Sequence, residues 1–174
     1  MMLYAHGGGF TLGQSEDTAY ITSRIAAENG MVVVSVNCRL APEWPFPACL
    51  DDCLVVLQWM QKNEALVGGD GARIAVGGDS AGGNIAAALP LQARDAGMPL
   101  PQAAVLLAPI TDFFFEQYES FERLARLGSS TMRPSSGSSA APIWSTEELG
   151  TSVRQPDACR SARISPHVHR HRHG

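Results

Sequence analysis

Hydrophobic positions in the first two thirds of the chain alternate between two periods. Met1 to Ala5 is a short apolar run that stops at His6-Gly7-Gly8-Gly9, a pattern expected for the end of a buried strand opening into a glycine loop. From Ser15 to Asn29 the apolar residues Ala19, Ile21, Ile25 and Ala26 fall at helical spacing, and Asn29-Gly30 supplies a stop. Met31 to Val36 is nearly continuous and rich in valine, as in a parallel strand buried on both faces. Pro42, Pro45 and Pro47 hold the next stretch extended, after which Leu50, Leu54, Leu57 and Trp59 restore the helical period from Ala48 to Gln61.

The alternation then repeats. Gly68-Gly69-Asp70-Gly71 precedes a third strand candidate, Arg73 to Gly77, and an alanine-rich helix is predicted from about Ala81 to Ala96, closed by Gly97 and Pro99. Pro90 lies inside that helix, where it costs about 3 kcal/mol unless the helix kinks. A fourth strand runs from Ala103 to Leu107 and ends before Pro109. Strands alternating with helices of this length predict an α/β fold of about four parallel strands with helices on both faces.

Beyond about Gly128 the pattern stops. Residues 129 to 174 are dense in Ser, Pro, Arg and His, without apolar periodicity or a strand-like run, and are expected to be disordered. Charge divides at a similar place: 13 acidic and 5 basic side chains up to Ser120, then 4 acidic and 8 basic from Phe121. The expected organisation is a core over residues 1–128 and a distinct tail over 129–174.

Overall composition narrows the class. A chain of 174 residues with 45% hydrophobic positions has enough apolar material for one core, and a net charge of −4 gives no reason to expect nucleic acid as a partner. No apolar run approaches the ~20 residues needed to span a bilayer, and the N-terminus has no signal-peptide pattern. Cys38, Cys49, Cys53 and Cys159 have neither C-x-x-C nor metal-ligand spacing, so they are expected to be small buried thiols, with a cytoplasmic setting as the default.

Two glycine-rich segments bear chemistry. Gly77-Gly78-Asp79-Ser80-Ala81-Gly82-Gly83 contains G-x-S-x-G and joins a predicted strand to a predicted helix, the context a nucleophile elbow requires. So tight a turn presents the Ser80 hydroxyl above the sheet edge, and the following helix N-terminus favours developing negative charge. Glycine-rich strand-to-helix turns also bind phosphates, but neither G-x-G-x-x-G nor G-x-x-x-x-G-K-[ST] fits here. The other segment, His6-Gly7-Gly8-Gly9-Phe10, also follows a strand. Alone it would read as a flexible turn; beside an elbow, its backbone N–H groups can converge on a tetrahedral oxyanion.

With these two segments in this order, the chain resembles the hormone-sensitive-lipase-like family of α/β-hydrolases. Arg39-Leu40-Ala41-Pro42-Glu43, followed by Pro45-Phe46-Pro47 and Asp51-Asp52, is similar to that family's intervening segment, as are Asp95-Ala96-Gly97 and Pro109-Ile110-Thr111-Asp112. The resemblance spans about Leu3 to Leu127. It implies Ser80 as nucleophile, the N–H groups of Gly8, Gly9 and Ala81 as the oxyanion hole, and His6, Gly7, Gly78, Asp79 and Gly82 in support of the two motifs. It also implies hydrolysis of small carboxylic esters through an acyl-serine, with no cofactor and no metal.

The chain departs from that family at both ends. A triad needs an acid and then a histidine after Ser80, but Asp112 comes too early, and His167, His169, His171 and His173 sit in an Arg-rich run. A pair such as Asp157 with His169 satisfies the order but has no predicted rigid element behind it. The sequence therefore leads us to expect a weak or inactive esterase, or alternatively a non-catalytic fragment or a hydrolase homologue that only binds. A reading-frame change near Ser129 in a fragment would explain the abrupt change of text; translating the downstream nucleotides in the other two frames tests this, and finding no hydrolase-like strands there would contradict it.

Overall fold

The computed structural model describes residues 1–113, 118–120, 123 and 167–169. Four parallel strands form the sheet: β1 (Met2–Ala5), β2 (Val33–Val36), β3 (Ala75–Asp79) and β4 (Ala103–Leu107). Between them lie a 3-10 turn at Ser15–Thr18 and the helices α1 (Ala19–Asn29), α2 (Ala48–Lys62), α3 (Glu64–Val67) and α4 (Ala81–Asp95). A fifth strand, β5 (His167–His169), pairs antiparallel with β2, giving the order β4-β3-β1-β2-β5. The expected α/β architecture is present, and β5 adds a strand within the stretch expected to have none. A three-residue strand is too short to show alternation, and it owes its pairing to the open edge of β2. Asp157, His171, His173 and the rest of the expected tail lie outside the described residues.

Strand β1 explains the layering. Its side chains point alternately to the two faces of the sheet. Leu3 and Ala5 pack with Leu54, Leu57 and Met60 of α2 and with Ile85 and Leu89 of α4, whereas Met2 and Tyr4 pack with Ala26 of α1. Helices therefore cover both faces, and β1 and β2 are buried throughout, which accounts for their nearly unbroken apolar text. Each fully enclosed aliphatic side chain here, such as Leu57, contributes about 2 kcal/mol of transfer free energy.

Element ends follow local chemistry. Helix α1 stops at Gly30, whose φ of 59° is left-handed and whose N–H returns to the Ala26 carbonyl. Helix α4 continues through Pro90 to Asp95, so the possible break there does not occur, although the proline supplies no N–H for the Ala86 carbonyl. Strand β3 begins two residues later than its apolar run suggested and extends through Gly77-Gly78 to Asp79, because β1 and β4 pair with it on both sides along that length.

The expectation of free buried thiols holds for Cys53, which is fully enclosed, and fails for Cys38 and Cys49. Those two form a disulfide with Cα atoms 4.9 Å apart, linking the chain just after β2 to the first turn of α2. The default of a reducing compartment thereby loses its support from cysteine usage. Cys159 lies outside the described residues. Among the described residues no helix is long and apolar enough to cross a membrane.

Candidate active site

The position of the site follows from the sheet order. Strands β1 and β3 are neighbours, yet the helix after β1 lies on one face and the helix after β3 on the other. Such a switch point leaves a crevice outside the carboxyl ends of the two strands. Register places Ala5 opposite Gly78, so the loop His6–Phe10 and the turn Asp79–Ala81 leave the sheet side by side.

Ser80 is the N-cap of α4 and has φ 52° and ψ −114°. A positive φ is uncommon for a residue with a side chain and costs of order 1–3 kcal/mol, so surrounding bonds must impose it. They do so from two sides. The Ser80 N–H donates to the Leu107 carbonyl at 2.9 Å, while its carbonyl accepts from the amides of Asn84 and Ile110, both at 3.1 Å. The Asn84 side chain donates in turn to the Ile110 carbonyl at 2.8 Å. The end of β4 and the residues after it thus brace the elbow from outside, and Asn84 is a supporting residue that the motif alone does not reveal.

Small residues make the turn possible. A Cβ on Gly82 would run into the Ala5 carbonyl, so α4 can approach the end of β1 only because position 82 has none. Ala81 is buried at the helix N-terminus. Ser80 remains partly accessible, and Gly8 and Gly9 opposite it are exposed.

A carboxylate joins the two loops. Asp79 Oδ1 accepts the Gly7 N–H at 3.1 Å and the Tyr4 hydroxyl at 3.1 Å. Burial, reinforced by the negative charge of Asp79, pushes the Tyr4 phenol far above its ordinary range, so it remains a protonated donor. Beyond Gly7, Gly8 has φ 123° and its carbonyl accepts the amides of Thr11 and Leu12, which folds the loop back on itself. His6 is buried and its Nδ1 lies 2.6 Å from the Gly7 carbonyl; since that oxygen can only accept, Nδ1 carries the proton. Its Nε2 meets no polar partner, so this imidazole is not hydrogen-bonded to Ser80. The ring of His6 is thus tied to its own loop through the Gly7 carbonyl.

A cleft of about 210 Å³ opens beside the elbow. Phe10 and Phe113 line one part, Asn84 and Ile85 of α4 another, and Arg39, Trp44 and Phe46 from the segment between β2 and α2 complete it. Arg39 is held by Asp52, which accepts its backbone N–H at 2.8 Å and its guanidinium at 2.8 and 3.0 Å, and its guanidinium carbon sits 5.2 Å from the centre of the Trp44 ring. With its charge matched in this way, the Arg39 head contributes a flat surface to a mainly apolar wall.

The structure therefore brings Ser80, Ala81, Gly78, Asp79 and Gly82 together with His6, Gly7, Gly8 and Gly9 at one sheet edge. Tyr4 and Asn84 join that set without any sequence signal beyond their places in a strand and a helix.

Comparison with known proteins agrees with the fold. A family model described as alpha/beta hydrolase fold matches residues 2–159. Over 111 residues the chain is 45% identical to carboxylesterase NlhH of Mycobacterium tuberculosis, covering 64% of this chain and 35% of that protein. Over the same length it is 36% identical to hormone-sensitive lipase of Bos taurus, covering 64% of this chain and 15% of the lipase. Among solved structures, the hyperthermophilic esterase from the archaeon Pyrobaculum calidifontis shares 45% identity with a TM-score of 0.61, over 63% of this chain and 35% of that one. The chain belongs to the α/β-hydrolase fold family, in its hormone-sensitive-lipase-like branch. It spans about a third of the length of relatives such as NlhH, for which the share is 35%.

Proposed function

We propose that this chain carries the nucleophile and oxyanion-binding part of a serine carboxylic-ester hydrolase. The observation that carries the reading is the left-handed backbone of Ser80, with φ 52° at the first turn of α4, beside an exposed glycine loop at the switch point of the sheet. Strain of this kind on a partly accessible serine serves to present its Oγ. In the proposed reaction Ser80 Oγ attacks the ester carbonyl carbon, and the N–H groups of Gly8, Gly9 and Ala81 receive the oxyanion. Collapse of that intermediate expels the alcohol and leaves an acyl-serine, which water then cleaves. The chemistry calls for no cofactor. A cleft of about 210 Å³ has room for a short acyl or alkyl group, so small esters are the proposed substrates.

A second reading, a homologue that binds esters without turning them over, is favoured by the orientation of His6. That imidazole is committed to Gly7, and residues 1–113 contain no other histidine. The two readings separate in a p-nitrophenyl butyrate assay of the wild type against Ser80→Ala. As an esterase, the wild type exceeds the variant by about tenfold or more, since a serine hydrolase loses far more than this with its nucleophile. Equal rates favour binding alone.

A further inference from the structure

We propose that Cys38 and Cys49 form a thiol–disulfide exchange site, through which small thiols of the glutathione class set how firmly one wall of the cleft beside Ser80 is held. The link to catalysis rests on the ester-hydrolase reading, whereas the exchange site itself does not.

The geometry begins with the segment that the bond closes. Cys38 follows β2 and Cys49 is the second residue of α2, and between them Arg39 to Pro47 belong to no strand or helix. This segment brings Arg39, Trp44, Phe46 and Pro47 to the cleft, and Cys49 itself lines the same space. Ala41 donates its N–H to the Phe10 carbonyl at 2.9 Å, so the wall is tied to the residue that directly follows Gly8-Gly9. A covalent link across the base of this segment restrains the residues that shape the cleft and the glycine loop's exit. Once it is opened, the segment keeps packing and polar ties such as Arg39 to Asp52 and Ala41 to Phe10.

Access and chemistry suit exchange. Both half-cystines are partly exposed, which lets a thiolate reach a sulfur, and accessible disulfides are the labile ones. An incoming thiolate attacks one sulfur and forms a mixed disulfide, releasing the other cysteine as thiolate, which takes up the proton the attacking thiol gave up. A second thiol attacks the mixed disulfide and frees the remaining cysteine. Overall, two small thiols become one small disulfide and the protein gains two thiols, so the small thiol is oxidised and the cystine reduced. Cys53, four residues beyond Cys49, does not compete: it is fully buried, and burial together with the charge of Asp52 pushes its thiol up to about 12.

The test measures hydrogen exchange and thiol state in the full chain. The protein is equilibrated with glutathione disulfide or with reduced glutathione, quenched by alkylation and mapped by peptide mass. Cys38 and Cys49 should be protected from alkylation in the first condition and alkylated in the second. Amide exchange across Arg39–Ala48 should be faster by about fivefold or more in the reduced protein and in Cys38→Ser/Cys49→Ser, while exchange in α4 stays unchanged and reports that the fold persists. Alkylation of both cysteines after glutathione disulfide treatment, or exchange across the segment independent of redox state, overturns the proposal. Absence of ester hydrolysis alongside redox-dependent exchange would count against the hydrolase reading and leave the exchange site standing.

Discussion

Gly7 donates its backbone N–H to the carboxylate of Asp79 at 3.1 Å, so the glycine loop after β1 and the elbow after β3 are joined by a bond and not only by proximity. Asp79 adjoins Ser80 in sequence, and Gly7 adjoins Gly8. Through these two neighbours Ser80 and the Gly8-Gly9 amides, the proposed nucleophile and oxyanion donors, are set against a common reference, with the Tyr4 hydroxyl fixing the carboxylate from below.

Removing the Tyr4 hydroxyl tests the support of that carboxylate. Tyr4→Phe keeps the buried ring and loses one hydrogen bond to a carboxylate, so it should destabilise the protein by about 1.5–3 kcal/mol. Denaturant melts of the two proteins, with unchanged m-values, check this; a change below a few tenths of a kcal/mol would mean that the bond contributes little.

Two glycines should respond to alanine for different reasons. At Gly82 the new Cβ meets the Ala5 carbonyl, a backbone atom that cannot move without disturbing the end of β1, so Gly82→Ala should cost about 3 kcal/mol. At Gly30 nothing lies within 4 Å and only the φ of 59° opposes a side chain, so Gly30→Ala should cost about 1 kcal/mol. The ranking is readable from the difference in melting temperature, and the reverse order would contradict the close packing of the elbow helix against β1.

Asp51 gives a pH signature. Its carboxyl is pushed above its ordinary 3.8, first by burial and then by Asp52, against the opposing effects of the Gln92 hydrogen bond and Arg39. A pKa higher in the folded than in the unfolded state means that ionisation opposes folding. The penalty is fully present above the folded pKa and disappears as pH falls below 3.8. Asp51→Asn keeps an acceptor for Gln92, which donates at 2.7 Å, and should raise the melting temperature at pH 7 while approaching the wild type near pH 3. A variant equally displaced at both pH values would show that ionisation is not responsible.

The Arg39 and Asp52 pair should matter through its backbone bond more than through its charge. The Arg39 side chain is 37% exposed, which screens the ion pair, but the Asp52 carboxylate also accepts the Arg39 N–H at 2.8 Å. Asp52→Asn, which keeps one oxygen acceptor, should cost about 1 kcal/mol, and Asp52→Ala about 2 kcal/mol. Both are measurable by chemical denaturation, and equal losses would assign the effect to charge.

Much of this fold is legible in the sequence, because buried parallel strands and amphipathic helices have different periods. Valine-rich β2 and the Leu50, Leu54, Leu57 series of α2 could be placed to within two residues. The elbow and glycine loop are legible for a related reason, since close backbone approach at Gly82 and a left-handed φ at Gly8 admit almost nothing else. What the sequence hides are relations made only by folding. Tyr4 reads as one more apolar strand residue until β3 brings Asp79 beside it, and Cys38 and Cys49 have no motif spacing until β2 and α2 set their Cα atoms 4.9 Å apart. Strand β5 escapes for want of length: His167–His169 has no period of its own and takes its form from β2.

The proposed nucleophile can be caught directly by incubating the protein with p-nitrophenyl acetate and mapping the product by peptide mass. We expect release of p-nitrophenolate accompanied by one acetyl group on the Ser80 peptide, with both lost in Ser80→Ala. Acetyl found elsewhere on the chain, or p-nitrophenolate released equally well by Ser80→Ala, would contradict Ser80 as the group that attacks the ester.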